Sequence, residues 1–157
     1  MPVMLETDVE NERILKEFID GDTIYQLVLE DKMKTDYIEQ LHRMCALLYA
    51  ANTNIDYFPT NFVVNNEEIY YVDFECNDYM EEWDFENWGV KYWSKTPEFL
   101  QYVKEHSWYS EVEGEIYAKE YKLYLPDKKL LQKKLKEWLD EEQNWFRGES
   151  AICWDSI

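Results

Sequence analysis

Histidine is nearly absent: His42 and His106 are the only 2 in 157 residues. That excludes a His-rich metal site and leaves a Ser-His-Asp triad few candidates. The 3 cysteines, Cys45, Cys76 and Cys153, lie far apart and form no CxxC pair. They suit free thiols in a reducing cytosol better than a disulfide framework or a zinc site. No apolar run approaches the ~20 residues needed to span a bilayer. The opening "MPVMLETDVE" has neither the basic n-region nor the apolar h-region of a signal peptide. The expected location is therefore cytoplasmic. Internal repeats and low-complexity segments are missing too. Basic residues are scarce: 16 Lys and Arg stand against 34 Asp and Glu, a net charge of −18. Such a field repels nucleic acid and anionic membranes, so neither is an expected partner. It attracts a cationic substrate or a basic partner protein, or it serves solubility alone. Charge by itself leaves both readings open.

What is present is apolar bulk. Hydrophobic residues make up 46% of the chain and aromatics 17%, too much for a disordered tail. The length suits one domain, residues 1–157, with an ordinary core. Residues 1–8 read as a strand with Pro2 at its start. "RILKEFI" (residues 13–19) alternates partially and reads as a strand, ended by the "DGD" turn. "TIYQLVLE" starts a short helix with Thr23 as N-cap. Residues 35–52 are the clearest helix, with Ile38, Leu41, Cys45, Leu48 and Tyr49 on one stripe and a capped start at Thr35. His42 falls off that stripe, which predicts a solvent-facing ring. "NFVV" and "EIYYVDFE" flank "NNEE", a hairpin whose Asn65-Asn66 pair tolerates positive φ. Residues 84–93 read as a helix with Asp84 as N-cap. Thr96 and Pro97 open another helix. A last helix starts at Pro126, with apolar positions Leu130, Leu131, Leu135, Trp138 and Leu139. It carries a cluster of Lys128, Lys129, Lys133, Lys134 and Lys136, read as a solvated face or a docking face.

Three polar residues stand in an apolar setting in "NIDYFPTNFVVNNEEIYYVDFE", residues 54–75. Asn61 is five positions after Asp56, and Asp73 is twelve after Asn61. This pattern suits phosphoryl transfer. That reaction needs a group to orient or deprotonate a hydroxyl, and hard oxygen ligands for Mg²⁺ on nucleotide phosphates. Asp56 would serve as the base, with Asn61 and Asp73 as metal ligands. The closed ends of the hairpin would bring Asn61 and Asp73 together. Glu75 could add a further carboxylate. Each residue also has a plainer reading. Asp56 could form a turn ahead of Pro59, and Asn61 could cap the loop. Glu75 could be a strand-end acid and Asp84 an N-cap. Asp73 is harder to explain so, because a charge ending "IYYV" is costly without a partner or metal.

"DYFPTN" (residues 56–61) and "DFE" (residues 73–75) resemble the catalytic and metal loops of the protein-kinase-like superfamily. Glu in the third position is similar to the choline/ethanolamine kinase, aminoglycoside phosphotransferase and atypical-kinase branch. "VDFECNDYMEEWDFENW" continues that likeness, and "ILKEFIDGDTI" (residues 14–24) looks like the hinge between kinase lobes. The resemblance covers roughly residues 1–93. It implies an α+β, mainly helical fold: a kinase-like C-lobe in residues 23–157, with a remnant strand pair and hinge in residues 1–22. It implies ATP and Mg²⁺ as cofactors, Asp56 as base, and Asn61, Asp73 and Glu75 at the metal. The backbone of Glu17 and Ile19 would meet adenine, and Asp84 would brace the catalytic loop. The acceptor would be a hydroxyl on a cationic small molecule or a protein. Trp83, Trp88 and Trp93 recur every five residues, so they cannot share one helical face. Some could line a cation-binding cleft, and core packing is the other reading.

Two departures from the pattern stand out. Asn54 occupies the place where kinases usually carry His. No Gly-rich loop or strand Lys precedes Arg13, so the expected chain begins near the fourth N-lobe strand. It would be part of a longer kinase, or a C-lobe living alone as a catalytically silent module. Such a module would bind a basic partner or self-associate through its exposed strand.

Overall fold

A computed structural model describes residues 1–106, together with Lys133 and Glu137. The helix expected from Pro126 and most of its Lys cluster lie outside the described residues, as does Cys153. Lys133 itself is helical and exposed.

The chain starts as a hairpin. Strand β1 (Met4–Asp8) pairs antiparallel with β2 (Arg13–Lys16), with a bulge between Met4 and Glu6. Asp8 shapes the turn by accepting from the Asn11 backbone at 3.2 Å and its side chain at 2.7 Å. The strand expected through residue 19 stops at Lys16, although Glu17 N–H still donates to the Val3 carbonyl at 2.9 Å. Next comes β3 (Asp22–Thr23), preceded by Gly21. A side chain at Gly21 would place its Cβ 1.9 Å from the Val64 carbonyl oxygen, so only glycine allows the chain this close.

Helix α1 (Ile24–Leu29) follows, held by a full capping box between Thr23 and Gln26. Helix α2 (Thr35–Ala50) buries Tyr37, Ile38, Leu41, Cys45 and Ala46. Its N-cap is Lys34, without a side-chain cap bond, rather than Thr35. Asp36 in the first turn complements the helix dipole instead. His42 is half-buried, with its ring edge-on to Phe85 at 6.0 Å. The solvent-facing expectation thus fails, because the chain returning at Phe85 covers that flank of the helix.

Strand β4 (Thr53–Ile55) leads through a 3₁₀ turn at Pro59–Asn61 into β5 (Phe62–Asn65) and β6 (Glu68–Tyr71). The β5–β6 turn is tight, with positive φ at Asn66 and Glu67. The turn sits one residue later than expected because Asn65 still pairs with Glu68. Gln40 of α2 clamps this hairpin, donating to the Glu67 carbonyl at 2.8 Å and accepting from Ile69 N–H at 2.9 Å. The sheet order is β3-β5-β6, while β7 (Cys76–Asp78) pairs with β4.

Residues 84–93 form turns and one 3₁₀ segment at Gly89–Tyr92 instead of the expected helix. The Asp84 carboxylate accepts from the Asn87 N–H at 2.8 Å, the bond of an N-cap, but the turn it opens tightens into the 3₁₀ segment rather than running on as an α-helix. Trp93 is thereby sent into the core. Helix α3 (Pro97–Glu105) begins as expected, with Thr96 accepting from Phe99 N–H at 3.1 Å. The described architecture is α+β, with small antiparallel sheets around an aromatic centre of Tyr57, Phe62, Tyr71, Phe85, Trp93 and Phe99.

Candidate functional site

Asp56 leaves β4 at the edge of this aromatic centre. Its Oδ1 accepts from the Phe58 N–H at 2.9 Å, which bends the loop toward Pro59. Its Oδ2 accepts from the Asn61 amide at 2.9 Å. The turn reading and the site reading of Asp56 therefore coexist: one oxygen shapes the loop and the other meets Asn61. The Asn61 carbonyl in turn accepts from the Val72 N–H at 2.8 Å, which extends the β5–β6 ladder. Asn61 thus stands alongside the residue before Asp73.

Tyr71 closes the group from below. It is buried, and its hydroxyl accepts from the Asp56 N–H at 3.3 Å while donating to the Glu75 carbonyl at 3.0 Å. Burial pushes its phenol well above the ordinary range, and the nearby Asp73 and Asp56 push the same way. It stays a neutral donor, so the link survives at any physiological pH. Nothing in the strand pattern singles out Tyr71 from its neighbours.

The structure ties Asp56 to Asn61 through their side chains, sets Asn61 beside Val72, the residue before Asp73, and links the Asp56 and Glu75 backbones through the Tyr71 hydroxyl. Asp73 Oδ1 accepts from the N–H groups of Phe74 at 2.7 Å and Glu75 at 3.3 Å. Among the described residues no hydrogen bond reaches Asp73 Oδ2 or the Asn61 side-chain oxygen. Glu75 is exposed and accepts from the Asn77 amide at 3.0 Å. No group of three or more His, Cys, Asp and Glu side chains is arranged to hold a metal among the described residues. Mg²⁺ does not need one, since one or two carboxylates with substrate phosphates and water complete its shell. Asp73 Oδ2 and the Asn61 side-chain oxygen are of the hard oxygen type that such a shell uses.

Asp84 is buried, and its carboxylate accepts from Tyr79 O–H at 3.0 Å and from both nitrogens of Asn87. It organises its own segment. Contact with the Asp56 loop runs through Phe85, whose ring lies 5.9 Å from Tyr57. Gly89 lets this packing happen, since a Cβ there would stand 2.6 Å from Tyr57 Cβ. Glu17 and Ile19 lie beyond β2. Among the described residues no hydrogen bond uses the Glu17 carbonyl or the Ile19 N–H.

A cleft of about 370 Å³ opens beside Asp56. Its lining includes the acids Asp56, Glu75 and Asp78, and the apolar residues Met80, Trp83 and Trp88. The two indoles lie 5.7 Å apart, and Trp83 is half exposed. Asn54 is buried at the back, where its amide donates to the Met80 carbonyl at 2.8 Å. Trp93 has a different role, fully buried with its indole N–H donating to the Tyr57 carbonyl at 2.7 Å. Aromatic rings and carboxylates are the groups that attract organic cations. Asp78 and Met80 carried no sequence signal, because only the β4–β7 pairing brings them here.

Comparison of the chain with protein-family models, with curated proteins and with solved structures returns no match. Among the described residues no helix is long and apolar enough to cross a membrane.

Proposed function

We propose that the chain is a kinase-like, ATP-dependent phosphotransferase acting on a hydroxyl of a cationic small molecule. The observation that carries this reading is the join at Asn61, whose amide holds Asp56 while its backbone holds the strand leading to Asp73. Asp56 would take the proton of the acceptor hydroxyl. The acceptor oxygen then bonds to the γ-phosphorus as the bond to the leaving diphosphate breaks. Asp73 and Asn61 would hold Mg²⁺, with Glu75 accessory; the ion offsets charge developing on the phosphates. The Glu17 carbonyl and Ile19 N–H would meet adenine, and Asp84 would support the loop indirectly. The cleft of Asp56, Glu75, Asp78, Trp83 and Trp88 favours a cationic acceptor over a protein one. Calorimetric titration with Mg²⁺ and ATP tests the site. Heat in the wild type that disappears in Asp73→Ala supports it, and equal titrations in the two proteins contradict it.

A second reading has its own observation. Val3, just before β1, and Leu5, Ile14 and Leu15 on β1–β2 are all more than half exposed. A catalytically silent module that pairs with a second copy through this hairpin would cover them. Sedimentation separates the two readings: a dimer that Leu15→Glu dissociates, without nucleotide binding, favours the module.

A further inference from the structure

The hydrophobic core cluster begins at Ile24. Among the described residues, the exposed large hydrophobic side chains outside the cleft all lie in residues 1–18. A two-stranded hairpin standing alone is marginal in water, and a concentrated apolar patch marks a surface that something covers. The hairpin has two unlike faces. Lys16 turns its ammonium to the Val72 carbonyl, so the Lys16 side of β2 faces the rest of the domain. Met4 pairs with Lys16 and shares that side. Side chains alternate along a strand, so Val3, Leu5 and Leu15 belong to the opposite, outer face. Glu6 stands there too, directly opposite Leu15 in register.

Charge narrows what can cover this face. The exposed acids Glu6, Glu10, Glu12, Glu17, Asp20 and Asp22 lie on or beside the hairpin, against Arg13 and Lys16. A second copy on a two-fold axis would bring this acidic set against itself. A basic amphipathic segment would not, and this chain has one. The described residues end at His106, apart from Lys133 and Glu137, and the chain continues to Ile157. Residues 128–136 hold five lysines and no acid. In the sequence, Leu131, Leu135 and Trp138 recur at intervals of four and three, the spacing of one helical face, with Lys128 and Lys134 bordering it. Lys133 and Glu137, both helical and exposed, fall on the opposite side of that pattern. Residues 107–125, if extended, reach about 60 Å. A domain of 100 residues has a radius of gyration of only about 13 Å, so the segment can arrive at the hairpin.

We propose that residues 128–139 dock as a helix on the outer face of β1–β2. Leu131, Leu135 and Trp138 meet Val3, Leu5 and Leu15, and Lys128 and Lys134 extend past them to Glu6 and Glu17. The proposal goes beyond the phosphotransferase reading and stands whether or not the chain binds nucleotide. It competes with the paired-copy reading for the same face. Docking outside the core is a local equilibrium, so a lesion at Leu15 opens the contact without unfolding the domain.

The test is zero-length carbodiimide cross-linking of the full chain, which joins a lysine to a carboxylate only where the two touch, read by peptide mass spectrometry. It uses the wild type, Leu15→Glu and Leu135→Glu, each at a high and a low protein concentration. Sedimentation gives the oligomeric state of each sample, and circular dichroism verifies folding. The wild-type monomer should join Lys128 or Lys134 to Glu6 or Glu17, with a yield that dilution leaves unchanged. Each substitution should lower that yield by about tenfold, because it puts a charge where a leucine would be buried. A yield that either substitution leaves unchanged would reduce the contact to charge attraction and overturn the proposal. Cross-links that vanish on dilution together with a dimer would assign the face to a second copy and overturn it. Absence of any cross-link between the two segments in the wild type would overturn it as well. Should Leu135→Glu fail to fold, Leu15→Glu decides on the same terms, since Leu15 lies outside the core.

Discussion

In β5–β6 Phe62 is fully buried, and Ile69 and Tyr71 are nearly so. In β1–β2 Leu15 is 56% exposed and Ile14 55%. Both are short antiparallel hairpins with apolar residues in both strands. The difference lies in what packs against them. α2 offers β5–β6 a buried stripe and the Gln40 clamp, and β3 adds a third strand. β1–β2 forms a two-stranded sheet by itself, the arrangement that is marginal in water. The proposed site residues are divided the same way. Asn61 and Asp73 stand at the two ends of the buried hairpin, while Glu17 follows the exposed one. On the proposed reading, the groups that need fixed distances would stand where packing is dense, and the part that would meet the nucleotide would stand beside the exposed hairpin.

Truncation gives the sharpest contrast. Phe62→Ala should cost about 3–5 kcal/mol, and Leu15→Ala less than about 0.5 kcal/mol. Urea unfolding of both variants checks this, and similar losses would erase the distinction between the hairpins. A smaller contrast comes at alkaline pH. Burial pushes the Cys45 thiol up to about 12, and burial with the Asp84 carboxylate pushes Tyr79 up to about 12. The native state therefore keeps both protons that an unfolded chain would release from about pH 9 to 10 upward. That contribution is fully present below pH 9 and is lost as pH rises toward 12. Thermal melts should fall steadily through that window. Because the tyrosines and Cys45 lie outside β1–β2, Leu15→Ala should not alter the slope. A melting temperature constant to pH 12 would contradict the burial of these groups. The smallest effect concerns the site itself. A double-mutant cycle with Asp56→Ala and Asn61→Ala should show coupling of about 1 kcal/mol from their shared hydrogen bond. Additive losses would mean that the bond does not operate in solution.

The elements that sequence made legible are those set by local chemistry. Thr23 with Gln26, Thr96 with Pro97, and the stripe of α2 each carry a cause within a few residues. The pairing of Asn61 with Val72, the residue before Asp73, was readable for a related reason, since a tight hairpin returns its two ends to the same place. Long-range effects were not legible. Tyr71 bridges Asp56 and Glu75 only because β6 turns its side chain inward under the loop. Asp78 and Met80 reach the cleft only through β4–β7 pairing. The helix expected over residues 84–93 opens with the Asp84–Asn87 cap bond but gives way to a 3₁₀ segment, and Trp93 fills a core site. Lys16 looked like any strand residue until the fold put its ammonium beside Val72.

The proposed nucleotide and metal site rests on Asp56, Asn61 and Asp73 around the β5–β6 hairpin. Its most direct test is a thermal-shift titration with ATP, with and without Mg²⁺, in the wild type and Asp73→Ala. Ligand that binds the native state raises its melting temperature, with about 2.7 kcal/mol of stabilisation at a hundredfold excess over Kd. The account predicts a Mg²⁺-dependent rise in the wild type that Asp73→Ala abolishes. No rise at millimolar ATP and Mg²⁺, or an equal rise in both proteins, would contradict it.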